Sequence, residues 1–89
     1  MNTDVFFELI KRAVSNFARE EGIGTVFSND VEIMWYCNMY NHKRAICSIP
    51  SLHETDNSLY QASYSESTGI VNVTRYKKDE SKQQYSYEF

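Results

Sequence analysis

The apolar residues of this 89-residue chain change their period at Gly22. Before it, Phe6, Leu9, Ile10, Ala13, Val14 and Phe17 recur at three- and four-residue spacing, the pattern of a helix with one apolar stripe. After it, Val31, Ile33, Trp35, Cys37 and Met39 alternate with Glu32, Met34, Tyr36, Asn38 and Tyr40, the period of a strand with one side in a core. A lone amphipathic helix followed only by strand-patterned segments has no second helix to pack on, so its stripe must lie against the sheet. The expected fold is therefore α+β: one N-terminal helix packed on a five- to six-stranded antiparallel meander sheet, with residues 1–89 forming a single domain.

Local signals set the boundaries. Asn2 or Thr3 can cap free backbone N–H groups, and Asp4 complements the positive end of the helix dipole. Gly22 can take the left-handed conformation that ends a helix, so the helix is expected over about residues 4–20. Residues 23–27 read as a short strand and Ser28-Asn29-Asp30 as a turn. With Asn41-His42-Lys43 as a three-residue turn, the strand over residues 44–49 returns with Met39 facing Ala45, Cys37 facing Cys47 and Trp35 facing Ile49. That register keeps apolar residues on one side, whereas a two-residue turn would flip the returning strand. Pro50 ends it, and residues 51–58 read as a polar loop. The segments 59–65 and 70–76 flank Glu66-Ser67-Thr68-Gly69, a hairpin that sets Tyr64 opposite Val71 and Ala62 opposite Val73. Residues 77–84 form a charged loop, and Tyr85, Tyr87 and Phe89 mark a last strand.

Composition excludes several classes. A net charge of −3 is the wrong sign for a dedicated duplex-DNA binder, which needs a basic excess. Twelve acidic residues spread along the chain do not make the dense acidic face of a DNA mimic. No apolar run approaches the roughly 20 residues of a membrane span, and the opening Met-Asn-Thr-Asp lacks the basic and apolar regions of a signal peptide. With two Cys and no export signal, a cytoplasmic location is expected; for a phage-encoded protein that is the host cytoplasm.

No residue set demands a particular chemistry. The alternation places Cys37 and Cys47 inward as small buried hydrophobes, and a disulfide directly across an antiparallel pair would be strained. Zinc takes about four ligands, and the two Cys with His42 and His53 lack a metal-ligand spacing. His42 falls in a turn and His53 in a polar loop; Glu20-Glu21 and Asp79-Glu80 are adjacent in solvated stretches rather than held across a cleft. Three glycines make no phosphate-binding loop. Neither catalysis nor a cofactor is expected.

What remains is aromatic. Seven of the thirteen aromatic residues are Tyr, which offers an apolar body with a polar tip. If Val31, Ile33 and Trp35 face the helix, then Met34, Tyr36 and Tyr40 face outward beside Arg44 and Ile46. Met, Tyr and Arg are enriched at interfaces, so these five residues form the first candidate surface. A second is the C-terminal set Arg75, Tyr76, Lys77, Lys78, Tyr85 and Tyr87, where cations interleaved with aromatics could hold a single-stranded nucleic acid. The net charge speaks against nucleic acid as a partner.

In size and style, over its whole length and on no specific motif, the chain resembles the small single-domain proteins that bacteriophages and toxin systems encode, including anti-CRISPR inhibitors and immunity proteins. The resemblance implies stoichiometric binding to a larger protein, such as a nuclease or other defence effector, that blocks its active or substrate site. The alternatives are a single-stranded nucleic-acid-binding domain and a structural or regulatory homodimer.

Overall fold

A computed structural model describes residues 2–39, 42–54 and 57–76, and the backbone of residues 82–88. Helix α1 spans Thr3–Glu20. Its cap is Asn2, whose side-chain oxygen accepts from the Val5 N–H at 2.9 Å, so one of the unpaired donors at the helix start is satisfied. At the other end Gly22 has φ +68°. The Ile23 N–H donates to the Ala18 carbonyl at 2.9 Å and the Gly22 N–H to the Arg19 carbonyl at 3.1 Å. That pair of bonds is the Schellman closure, and it needs a residue tolerant of positive φ at this position.

Residues 23–27, expected as a strand, do not join the sheet. They run as an extended connection held at its middle, where Arg19 Nη1 donates to the Val26 carbonyl at 3.0 Å and the Val26 side chain is buried in the core. A 3-10 turn, Ser28–Asp30, follows; the Asp30 carboxylate accepts from the Phe27 N–H at 2.9 Å.

The sheet is antiparallel and in meander order. Four strands are described with their side chains: β1 (Glu32–Asn38), β2 (Lys43–Ser48), β3 (Leu59–Ser65) and β4 (Ile70–Tyr76). A fifth segment, β5 (Lys82–Glu88), pairs along β4 and is described by its backbone alone, so the sheet has four fully described strands rather than the expected five to six. Between β2 and β3 lies a 3-10 turn, Pro50–Leu52. The β3–β4 hairpin has the expected register, Tyr64 opposite Val71 and Ala62 opposite Val73, and closes through Gly69 at φ +70°.

The β1–β2 hairpin departs from expectation in two ways. Met39 and His42 exchange both backbone hydrogen bonds, at 3.0 and 3.3 Å, so only Tyr40 and Asn41 lie between them. The closure is thus two residues long, not three. A β-bulge then interrupts β1: Ile33 opposes Cys47, but Trp35 opposes Ile46 and Met34 is the extra residue. Because side chains alternate with period two, one extra residue reverses the facing of everything on one side of it. Beyond the bulge Tyr36 opposes Ala45 and Cys37 opposes Arg44. Tyr36 therefore shares the face of the buried Ala45, while Trp35 and Cys37 turn away from the core.

Helix α1 lies across β1–β4 and buries Phe6, Ile10, Ala13, Val14, Phe17 and Ala18 against Ala45, Cys47, Tyr60, Ala62, Val71 and Val73. Phe17 meets Tyr60 edge-on, ring centroids 5.9 Å apart, and Phe7 meets Tyr36 edge-on at 4.9 Å. Such contacts add to area burial.

Since Phe17 is fully buried and Trp35 is 52% exposed, Phe17→Ala should cost about 3–5 kcal/mol of stability, whereas Trp35→Ala should stay within about 1 kcal/mol. Urea unfolding followed by far-UV circular dichroism measures both. Equal losses would mean that Trp35 sits in the core and that the bulge is misplaced.

Candidate binding face on the outer side of the sheet

The side of the sheet away from α1 is built by register. Trp35, Ile46, Gln61 and Thr74 form one row across the strands, and Cys37, Arg44, Ser63 and Asn72 form the next. Leu59 and Tyr76 pair at the other end of the β3–β4 hairpin, where the Tyr76 hydroxyl donates to Gln61 Oε1 at 3.4 Å. Met34 at the bulge, Trp35, Met39, Leu59 and Tyr76 are each between 43% and 60% exposed. At the closed end of the β1–β2 hairpin the same face dips into a groove of about 300 Å³ lined by Trp35, Cys37, Met39, His42 and Arg44.

The five first candidates are distributed unevenly by this arrangement. Met34, Arg44 and Ile46 are on or beside the outer face, as expected. Tyr36 is not: the two-residue closure sets it opposite Ala45 on the helix side, against Phe7, although 46% of its surface remains exposed. Tyr40 lies outside the described residues. In their place the structure brings Trp35, Cys37 and Met39 to the outer face. All three fall in the phase expected to face inward; residues 33–37 are apolar in both phases, so alternation alone cannot say which phase is inside. The usable signal was in β2, where Ala45, Cys47 and Ile49 alternate with Arg44 and Ser48, together with a turn short enough to reverse β1 against them.

Of the second candidate set the structure describes the side chains of Arg75 and Tyr76. Arg75 is only 7% exposed; it follows Val71 and Val73 on the inner face, and its Nε donates to the Ser58 hydroxyl at 3.2 Å. Tyr76 points outward and is exposed. Lys77 and Lys78 lie outside the described residues, as do the side chains of Tyr85 and Tyr87. The register places Tyr85 and Tyr87 opposite Val73 and Val71.

The two cysteines occupy opposite sides of the sheet and are both free thiols. Burial pushes the Cys47 thiol up to about 12, against a smaller downward pull from Lys11. Cys37 is half-buried on the outer face. At the end of the sheet Lys43, 4% exposed, donates to the Met39 carbonyl and reaches Glu66 Oε1, both at 3.2 Å. It thereby ties the β1–β2 closure to the β3–β4 turn, and its hydrogen bond holds the Glu66 carboxyl below the usual carboxylate range.

Among the described residues no group of three or more His, Cys, Asp and Glu side chains clusters as a metal site, and no helix is long and apolar enough to cross a membrane. A cleft lies between α1, the Ser28–Asp30 turn and the start of β1, lined by Phe7, Lys11, Asp30, Glu32, Ile33 and Pro50 among others. No protein-family model, curated protein or solved structure matches the chain.

Two outcomes check this geometry. Native protein treated with iodoacetamide should be alkylated at Cys37 and spared at Cys47 until unfolded, as peptide mass spectrometry will show; rapid native alkylation of Cys47 would contradict its placement. The second concerns acid. A carboxyl held below its unfolded value contributes stability above that value, near 4.5, and loses it as pH falls through the folded one. Glu66→Gln should therefore lower the melting temperature at neutral pH and flatten its fall on acidification; a variant curve parallel to the wild type would remove the pair from the stability account.

Proposed function

We propose that the chain is a non-enzymatic protein-binding module that acts by stoichiometric binding to a larger protein, blocking an effector or nuclease in the manner of the small inhibitors and immunity proteins of phage and toxin systems. The observation that carries this reading is the apolar outer face. Trp35, Met34, Met39, Leu59 and Tyr76 stand exposed around Ile46, and among the described residues no element covers them. An exposed apolar patch on a small protein usually marks a contact surface, and Trp, Tyr and Arg dominate interface hot spots.

Charge supports a partner other than a second copy. Arg44 is exposed at the edge of the patch, and among the described residues its guanidinium has no acidic partner. A partner that offers a carboxylate there, with an apolar side chain for the groove between Trp35 and Met39, matches both features. Two copies packed face to face would instead bring like charges onto one interface.

The test uses the full chain as immobilised bait in an extract of its native host, followed by affinity measurement with the purified partner. Trp35→Ala with Met39→Ala should weaken binding by about 30-fold or more, a loss of ~2 kcal/mol that is typical of hot-spot residues. Phe27→Ala, at an exposed site off this face, should leave the affinity unchanged. Equal binding by the double variant and the wild type would refute the face. So would light scattering that shows the free protein to be a dimer whose interface is lost in the same double variant, since the patch would then be covered by a second copy.

A further inference from the structure

Three soft donor groups meet on one side of the β1–β2 hairpin. Cys37, Met39 and His42 line the same groove, and the register explains why. Met39 and His42 exchange both backbone hydrogen bonds, so they are directly opposed and their side chains stand on one side. Cys37 is two residues from Met39 along β1, hence on that side again, opposite Arg44. Directly opposed Cβ atoms in an antiparallel pair are about 4.5–5.5 Å apart and diagonal neighbours about 7–8 Å. A thiol, a thioether and an imidazole so spaced can reach one common point. Among the described residues none of the three side chains is engaged in another hydrogen bond or ion pair, so nothing has to be displaced.

The donor set selects the ligand. Among the described residues no carboxylate lines the groove, a poor match for the oxygen-seeking cations Mg²⁺ and Ca²⁺. Structural zinc takes four donors, commonly from Cys and His, and among the described residues the groove offers two such donors. Thiolate and thioether with imidazole suit Cu(I). Arg44 sharpens the choice: with a thiolate and a monovalent ion the site carries only the guanidinium charge, whereas a divalent ion would add a second uncompensated positive charge beside it.

We propose that Cys37, Met39 and His42 form a binding site for Cu(I), with the Cys37 thiolate as its anchor. On binding, the Cys37 S–H bond breaks, an S–Cu bond forms and the proton passes to solvent; no electron is transferred, and affinity rises with pH. The site shares the groove and Met39 with the protein-binding reading but is tested separately from it, because its occupancy is measured on the free chain.

The test is an anaerobic titration of the reduced protein with Cu(I) buffered by bathocuproine disulfonate, read by the absorbance of the chelator complex, with X-ray absorption at the copper edge on the loaded protein. The protein should withdraw one equivalent and show mixed sulfur and nitrogen ligation. Cys37→Ser should abolish binding. Met39→Leu and His42→Ala should each weaken it at least about tenfold, the loss typical even of residues that only support a metal ligand. Cys47→Ala, altered on the other side of the sheet, should bind as wild type; circular dichroism of each variant confirms folding. Three results would overturn the site: copper retained wholly by the chelator, loss of binding in Cys47→Ala, or undiminished binding in both Met39→Leu and His42→Ala, which would reduce it to a lone thiol.

Discussion

The register of β1 on β2 decides what this molecule presents to solvent, and one extra residue sets it. With only Tyr40 and Asn41 between the hydrogen-bonded pair Met39 and His42, odd-numbered residues of β1 meet even-numbered residues of β2. Continued without interruption, that pairing would set Ile33 against Ser48, on the outward phase of β2. The core needs the reverse at this end of the strand, because Val31 is buried and Ile33 packs against the core cluster. The bulge at Met34 reconciles the two demands. It lets Ile33 oppose Cys47 on the inside while Trp35 opposes Ile46 on the outside. The aromatic pair Phe7 and Tyr36 and the outward turn of Cys37 both follow from the two-residue closure, and the bulge returns Ile33 to the inside.

Among the described residues the inner face is covered by α1, with Val26 and Leu52 from the connections packed beside it. Phe17 on Tyr60 and Phe7 on Tyr36 brace the helix at two points along its length, and small residues, Ala13, Ala18, Ala45 and Ala62, let it approach the sheet between them. Polar groups on this face are admitted only with partners: Lys43 with the Met39 carbonyl and Glu66, and Arg75 with Ser58. A buried charge without such partners would cost several kcal/mol, about 3–5 when one member of a pair is removed. Among the described residues the one helix covers one side of the sheet, and apolar residues of the other side stand exposed.

Legibility in the sequence followed the contrast between phases. Helix α1 was readable because Asn2, the apolar stripe and Gly22 agree. The β3–β4 hairpin was readable to the residue pair because Ala62, Tyr64, Val71 and Val73 contrast with Gln61, Ser63, Asn72 and Thr74. Strand β1 was not, since Ile33, Met34, Trp35, Tyr36 and Cys37 offer no polar phase, and a bulge leaves no mark in such a run. Residues 23–27 looked like a strand because Ile23 and Phe27 flank apolar Val26, but the Schellman closure and the Arg19 bond to Val26 spend that segment on joining helix to sheet. Arg75 was read as a surface cation by its neighbours Lys77 and Lys78; its place two residues after Val73 in the inward phase already put it inside. Of the five residues read as one outward surface, Met34, Arg44 and Ile46 stand on or beside the outer face, Tyr36 lies on the helix side, and Tyr40 is outside the described residues.

The same bulge also bears on how a partner can dock. β1 is an edge strand of the sheet, and a regular edge presents unpaired backbone groups to any incoming strand. An extra residue in its middle breaks the spacing that a new ladder would need, and Glu32 adds a charge at its start. Bulges and charges are the devices by which proteins discourage edge pairing. Contact by strand addition on β1 is thus opposed by the bulge at Met34, and contact through the face is favoured. A partner that meets the face engages side chains rather than backbone. In the proposed reading its selectivity would rest on the shape of the Trp35–Met39 groove and the charge of Arg44, on the side of the sheet away from the helix-covered core.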